Sequence, residues 1–194
     1  MILTGHEDLR IQKTIQAIRE SLKSLILEKE FSDIKVTALC QRAKISKKTF
    51  YAYYTCLDDL FNEELAIIAE GMLNSYRGMS VPQDLDRINA AFFDYVTGLD
   101  PASQKLLCHA NYDEFARNAI DHTVEKVWSD GEQLKHLSDF ERRFLMRFLR
   151  TVGLACFRDW VADGRTEPLE DVVAFSSALL TGSIRSVWAL RQRR

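Results

Sequence analysis

Apolar residues recur every three or four positions along most of this 194-residue chain, the spacing of helices that bury one face. Near the start they fall at Leu9, Ile11, Ile15, Ile18, Leu22, Leu25 and Ile26, which predicts a helix over 8–29 with Asp8 as its cap. Phe31 and Ile34 then plug a short linker. Two short helices fit 36–43 and 47–54, the second capped by Ser46. A long helix is expected over about 56–79, opened by Thr55 and Asp58 as a capping box. Further elements begin at Val81-Pro82, covering Leu85, Ile88, Ala91, Phe92, Tyr95 and Val96, and at Asp100-Pro101, reaching about Ala116. Another fits 118–129. Two strong helices close the chain. One starts near Ser138 and stops at Asp163-Gly164; the last starts at Pro168. With 3 Pro and 8 Gly there is little material for turns, so few, long elements are favoured over many strands. The expected fold is all-α with about nine helices.

The function classes narrow quickly. No Ser/His/Asp elbow, P-loop or GxGxxG is present, so no catalytic residues and no cofactor are expected. Cys40, Cys56, Cys108 and Cys156 stand alone, without CxxC spacing, and fit reduced thiols in a cytoplasmic protein. His109 and Asp113, with His122 nearby in sequence, make a metal half-site at most, so no metal is expected. The N-terminus does not read as a signal peptide, and no run of about 18 uninterrupted apolar residues marks a membrane span. The net charge of −2 means that any affinity for nucleic acid must come from a local patch.

Such a patch exists. The window 35–57 holds Lys35, Arg42, Lys44, Lys47 and Lys48 and no acid, whereas the rest of the first sixty residues holds five basic and eight acidic side chains. Two short helices flank Lys44-Ile45-Ser46, with Ile45 as the apolar plug of the turn. This is a helix-turn-helix layout, spanning 35–54, whose second helix can enter a major groove. On that helix Phe50 and Tyr54 share the core side, while Lys47, Lys48 and Tyr51 share the other; Thr49 and Tyr53 lie at the margins. The helix start after Ser46 suits a phosphate, and Thr37 could bond one beside the same groove. The candidate DNA-binding residues are Thr37, Ser46, Lys47, Lys48, Thr49, Tyr51 and Tyr53.

The stretch VTALCQRAKISKKTFYAYYTCLDDLF resembles the DNA-binding signature of the TetR family of regulators. The matching residues are Val36, Leu39, Ala43, Ile45, Ser46, Thr49, Phe50, Tyr51, Tyr54 and Leu60, with Ile15, Ile18, Leu22 and Phe31 before them. The chain departs from the pattern at Cys56-Leu57, where the family has Ser-Lys or a similar pair, and at Lys44, often Gly. It departs again at Lys35, usually Thr, and at Ala52-Tyr53, often an aromatic-His pair. The resemblance implies a three-helix helix-turn-helix head over 7–67 and a helical ligand-binding and dimerisation domain over 68–194. It implies a homodimer on palindromic double-stranded DNA, with half-sites ~34–36 Å apart, and release by a small-molecule effector. Candidate pocket residues are Phe92, Tyr95, His109, Tyr112, Phe115 and Trp128. Candidate interface residues on the last two helices are Phe148, Val152, Ala155, Val173, Leu180 and Ile184. The alternatives are a DNA-binding regulator without a small-molecule inducer, and a helical interaction module that has kept the fold but not the DNA.

Overall fold

A computed structural model describes residues 8–109 and 137–192, with side chains to residue 189. Among these residues there is no strand. Eight α-helices follow one another: α1 (Leu9–Glu28), α2 (Val36–Arg42), α3 (Lys47–Tyr51), α4 (Leu57–Ser75), α5 (Leu85–Gly98), α6 (Pro101–Leu107), α7 (Asp139–Ala162) and α8 (Leu169–Gln192), with a 3₁₀ turn at Phe31–Asp33. The expected element over 118–129 lies outside the described residues. Two compact units are formed.

The first unit comprises α1 to α3, α4 up to Ala69, and the segment from Leu99 that carries α6. Helix α1 is its hub and packs on both α2 and α6. The predicted apolar stripe is buried from Ile15 on, with Ile15, Ile18, Leu22, Leu25 and Ile26 at most 3% exposed. Leu9 at its start is 64% exposed, because it precedes the part of α1 that the other helices cover. Asp8 caps α1 by accepting from the Arg10 N–H. A buried carboxylate, Glu64 of α4, accepts from the Arg19 guanidinium of α1. The Lys23 ammonium lies 3.9 Å from Glu64 and 2.8 Å from Asp100. Asp100 also caps α6, accepting from the Ser103 N–H and hydroxyl at 3.0 and 2.7 Å. One carboxylate therefore fixes the start of α6 and ties it to α1.

The second unit holds the end of α4 from Glu70 together with α5, α7 and α8. Helix α5 packs against both α7 and α8, and these two pack on each other. Phe92, Phe93 and Val96 of α5 and Leu149, Leu154 and Phe157 of α7 are all buried in this unit. Gly153 lets α7 come close, since a Cβ there would sit 3.3 Å from the Phe92 ring. One polar node interrupts the core. The buried Asn89 amide donates to the hydroxyls of Ser176 and Ser177 at 2.7 and 2.9 Å and to the Val173 carbonyl at 3.2 Å. An amide this deep must be paired, so the node fixes the register of α5 on α8.

Helix ends differ from the expected ones for local reasons. Helix α3 stops at Tyr51, not at 54, because the Tyr53 and Tyr54 N–H groups both turn onto the Phe50 carbonyl. Helix α4 stops at Ser75, not near Met79; i→i−3 bonds from Tyr76 and Arg77 tighten its last turn. At its start Thr55 pairs with Asp59, not Asp58: the Thr55 N–H lies 2.9 Å from the Asp59 carboxylate, and the hydroxyl donates to it as well. The Val81-Pro82 element becomes helical only at Leu85, after the Asp84 carboxylate has accepted from the Ser80 N–H. Helix α6 ends at Leu107, nine residues short of the expected end, where His109 N–H closes a tight bond to the Leu106 carbonyl. Helix α7 starts with the expected Ser138 cap, completed as a capping box by Glu141.

The Asp100 junction has a definite pH signature. Burial works against its charge, but the Lys23 ammonium and the Ser103 hydroxyl and N–H outweigh it, and the carboxyl falls from its ordinary 3.8 to about 2. A depressed carboxyl stabilises the fold above its unfolded value and loses that contribution as pH falls toward the folded value. Thermal unfolding followed by circular dichroism should therefore show Asp100→Asn less stable than the parent at pH 7. The side chain is partly exposed, so the deficit should be at most about 1 kcal/mol. The gap should close between about pH 4 and pH 2. A constant gap across that window would contradict this assignment.

Candidate nucleic-acid interface

The helix-turn-helix is held from beneath. Leu39 and Cys40 of α2 are buried. Arg42, at the end of α2, points back to α1: its guanidinium grips both Glu28 carboxylate oxygens at 2.6 and 2.7 Å and the Ser24 hydroxyl at 2.6 Å. Glu28 is held below the ordinary carboxylate range, chiefly by this Arg42 hydrogen bond. Arg42, counted in the basic window by sequence, is thus spent on joining α2 to α1. The chain then turns through Ala43, Lys44 and Ile45, with Ile45 N–H on the Cys40 carbonyl at 3.0 Å. Lys44 takes a φ of +54°, the left-handed region that side chains with a Cβ adopt at a cost.

Ser46 opens α3. Its hydroxyl oxygen accepts from the Thr49 N–H at 3.0 Å and lies 2.8 Å from the Thr49 hydroxyl. Two rings pin the helix down. Phe50 is fully buried, and Tyr54 is 2% exposed with its ring 5.6 Å from that of Phe50. The Tyr54 hydroxyl donates to the buried Glu63 carboxylate at 3.2 Å. Burial, with a smaller push from Glu64 and against the pull of Arg19, drives the Tyr54 phenol up to about 12; it stays a neutral donor.

The outward side is where the candidate residues lie. Lys47, Lys48 and Tyr51 are exposed, Tyr51 to 54% with its ring edge-on to Phe50. Thr49 and Tyr53 are half-buried, and Thr37, in the first turn of α2, is exposed. Ser46 is exposed but engaged as the cap. Lys35 and Lys44 are exposed as well; sequence reasoning counted their charge without assigning them a role, although Lys44 in place of Gly was the signal. Neither α2 nor α3 carries an acid, whereas α4 opens on Asp58 and Asp59. The result is an exposed cationic ridge with one aromatic ring, able to meet phosphates and base edges.

Other candidates are distributed differently. Phe92 is buried, edge-on to Phe93 at 5.2 Å, and Tyr95 is half-buried, its phenol pushed up by burial. His109 belongs to the first unit, its ring 5.3 Å from both Phe31 and Phe61. Tyr112, Phe115 and Trp128 lie outside the described residues. Of the interface candidates, Ala155 is exposed, and Phe148, Val152 and Val173 are half-buried. Leu180 and Ile184 are only 3% and 6% exposed, buried within the chain itself. The open apolar groups on these two helices are Phe140 (68% exposed), Phe144 (59%), Phe175 (62%) and Leu179 (43%). Sequence reasoning missed this set, although each pair is spaced i,i+4. Helix α8 is also long and apolar enough, by length and composition, to cross a membrane.

No family model and no curated protein sequence matches the chain. Solved structures do. A protein from a Shewanella species, described as a TetR family transcription regulator, superposes with a TM-score of 0.67 at 16% identity, covering 88% of this chain and 97% of that one. The transcriptional regulator FadR from Bacillus subtilis, solved with stearoyl-CoA, gives 0.61 at 17% identity over 85% and 95%. NalD, the secondary repressor of the MexAB-OprM multidrug efflux pump in Pseudomonas aeruginosa, gives 0.59 at 17% identity over 90% and 96%. The chain thus has the all-α fold of TetR-type transcription regulators.

The turn makes its own prediction. Glycine adopts positive φ freely, so Lys44→Gly should raise stability toward denaturant by about 0.5–1 kcal/mol. A loss of stability in a urea titration would mean that the Lys44 side chain holds the turn through its stem.

Proposed function

We propose that this protein is a sequence-specific DNA-binding transcription regulator that acts as a homodimer on a palindromic operator and is released from it by a small-molecule effector. The observation that carries this reading is the exposed Lys47, Lys48 and Tyr51 on a helix whose opposite side is anchored by Phe50 and Tyr54. A short rigid helix with cations outward suits a major groove. Thr37 supplies a hydroxyl for the flanking phosphate. Thr49 and Tyr53, at the margin, contribute edge contacts, and Ser46 orients the helix. In this reading residues 7–67 form the DNA-binding head and 68–194 the effector-binding and dimerisation domain, in a cytoplasmic protein.

The effector and the repressor sign rest on likeness. One neighbour was solved with stearoyl-CoA and another is a repressor. Phe92 and Tyr95 would line the effector site. The dimer rests on α7 and α8, where Phe140 and Phe144 stack at 6.2 Å and, with Phe175 and Leu179, leave large apolar area in water. Such a set marks an interface, and a four-helix arrangement of α7 and α8 with their copies would cover it. A second reading, an interaction module without DNA binding, is favoured by one feature: α4 starts with Leu57, Asp58 and Asp59 and so offers no cation to a phosphate.

Operator binding measured by fluorescence anisotropy should separate these. Lys48→Ala should weaken binding by ~1–3 kcal/mol if Lys48 reads a base, with relaxed sequence preference, and parent affinity should fall steeply with salt. Retention of full affinity by both Lys47→Ala and Lys48→Ala would favour the interaction module. For the interface, Phe175→Arg should shift the mass measured by light scattering from dimer to monomer. A parent that is already monomeric at micromolar concentration would remove the dimer.

A further inference from the structure

We infer that the first turns of α1 form a second seat for the DNA backbone, in which Arg10 and Lys13 hold a phosphodiester strand running past the start of the recognition helix. A shallow hollow of about 540 Å³ lies between the first two turns of α1 and the turn that feeds α3. Its apolar lining is Leu9, Ala17, Ala43 and Ile45, and Arg10 and Lys13 line it as well. The two cations are exposed and three residues apart, so they stand on one side of the helix. The acid in the hollow, Asp8, is turned onto the α1 backbone, accepting from the Arg10 N–H at 2.7 Å. Thr14 is likewise occupied, its hydroxyl on the Arg10 carbonyl at 2.8 Å. Both are thus engaged with the α1 backbone, while the Arg10 and Lys13 side chains stay exposed.

Position and charge together select the occupant. Ala43 and Ile45 flank Lys44, and Ser46 and Lys47 follow at once, so the hollow continues the cationic ridge of α3. After α3 the chain enters α4 through Asp58 and Asp59, which repel a polyanion. A strand near α3 is thus attracted at the hollow and repelled at the start of α4. The apolar lining suits a deoxyribose, and the two cations suit its phosphates; neither group reads bases. The role of Arg10 and Lys13 is to set affinity and register, while sequence preference stays with α3.

This inference rests on the DNA-binding reading, and the experiment keeps the two apart. The full chain is titrated over a series of salt concentrations against the duplex selected from a random pool and against an unrelated duplex of the same length. The variants are Arg10→Ala, Lys13→Ala and the double variant, with Lys29→Ala as a surface control. Each lost phosphate contact should flatten the slope of log K against log salt by about 0.9. On a homodimer each substitution removes two such contacts, so either single variant should lose about 1.8 and the double variant about 3.6, by the same factor on both duplexes, while Lys29→Ala leaves the slope unchanged. If the parent binds and the double variant keeps its slope, the seat on α1 is wrong and the recognition helix stands. If the loss falls on the selected duplex alone, Arg10 and Lys13 read sequence and the positioning role is overturned. If the parent binds neither duplex, both readings fall.

Discussion

The burial of Phe50 and Tyr54 is the constraint on which the candidate interface depends. Helix α3 has five residues, far fewer than an isolated helix needs to persist in water. Its shape is therefore imposed from below. Phe50 supplies apolar area worth about 2–3 kcal/mol, and Tyr54 adds a ring whose hydroxyl reaches a buried carboxylate. With these two fixed, the 100° step of the helix turns Lys47, Lys48 and Tyr51 outward without any further device. Ser46 then sets the entry angle. A rigid presentation matters because a side chain on a frayed turn would have to be ordered by whatever it binds, at the expense of affinity.

The support under that helix is in large part electrostatic, and it converges on α1. Arg42 draws α2 onto Glu28, Arg19 draws in Glu64 of α4, and Lys23 draws in Asp100 at the cap of α6. The Arg19–Glu64 contact is the most buried of the three, with the carboxylate side chain only 2% exposed. Removing one partner there would strand a charge, so the pair fixes geometry more surely than it adds stability. In the second unit the same role falls to a neutral node, Asn89 with Ser176 and Ser177. The chain uses polar contacts to choose one packing where apolar stripes alone would slide.

Much of this was legible in the sequence, because periodicity reports which face is buried. The stripe of α1, the caps Asp8, Ser46 and Ser138, and the inward Phe50 and Tyr54 all follow from spacing and local chemistry. Helix ends were less legible. Where α3, α4 and α6 stop is decided by i→i−3 bonds that any residue can make, and no side chain announces them. The role of Arg42 was hidden for a different reason: its partner, Glu28, is fourteen residues away, and composition counts a charge without knowing what it faces. Leu180 and Ile184 show the same limit. An apolar stripe has an edge, and only the neighbouring helices decide which side of that edge meets the chain's own core and which side, here Phe175 and Leu179, is left open.

A chain with net charge −2 can still present a surface for a polyanion, because the sum matters less than the pairing. In the first unit the cations divide into two sets. Arg19, Lys23, Arg42 and Lys105 are each bound to a carboxylate of the same unit, and their fields are largely cancelled beyond a few ångströms. Lys29, Lys35, Lys44, Lys47 and Lys48, with Arg10 and Lys13, face solvent from α1 and its end, the entry to α2, the turn and α3. Of the acids of this unit, Glu28 is paired with Arg42 and Glu64 with Arg19, while Asp58 and Asp59 stand at the start of α4. Folding thus separates charge that the sequence mixes. The ion pairs that join α1 to α2 and α4 also neutralise Glu28 and Glu64, so the packing of this unit and the charge of its outer face are linked.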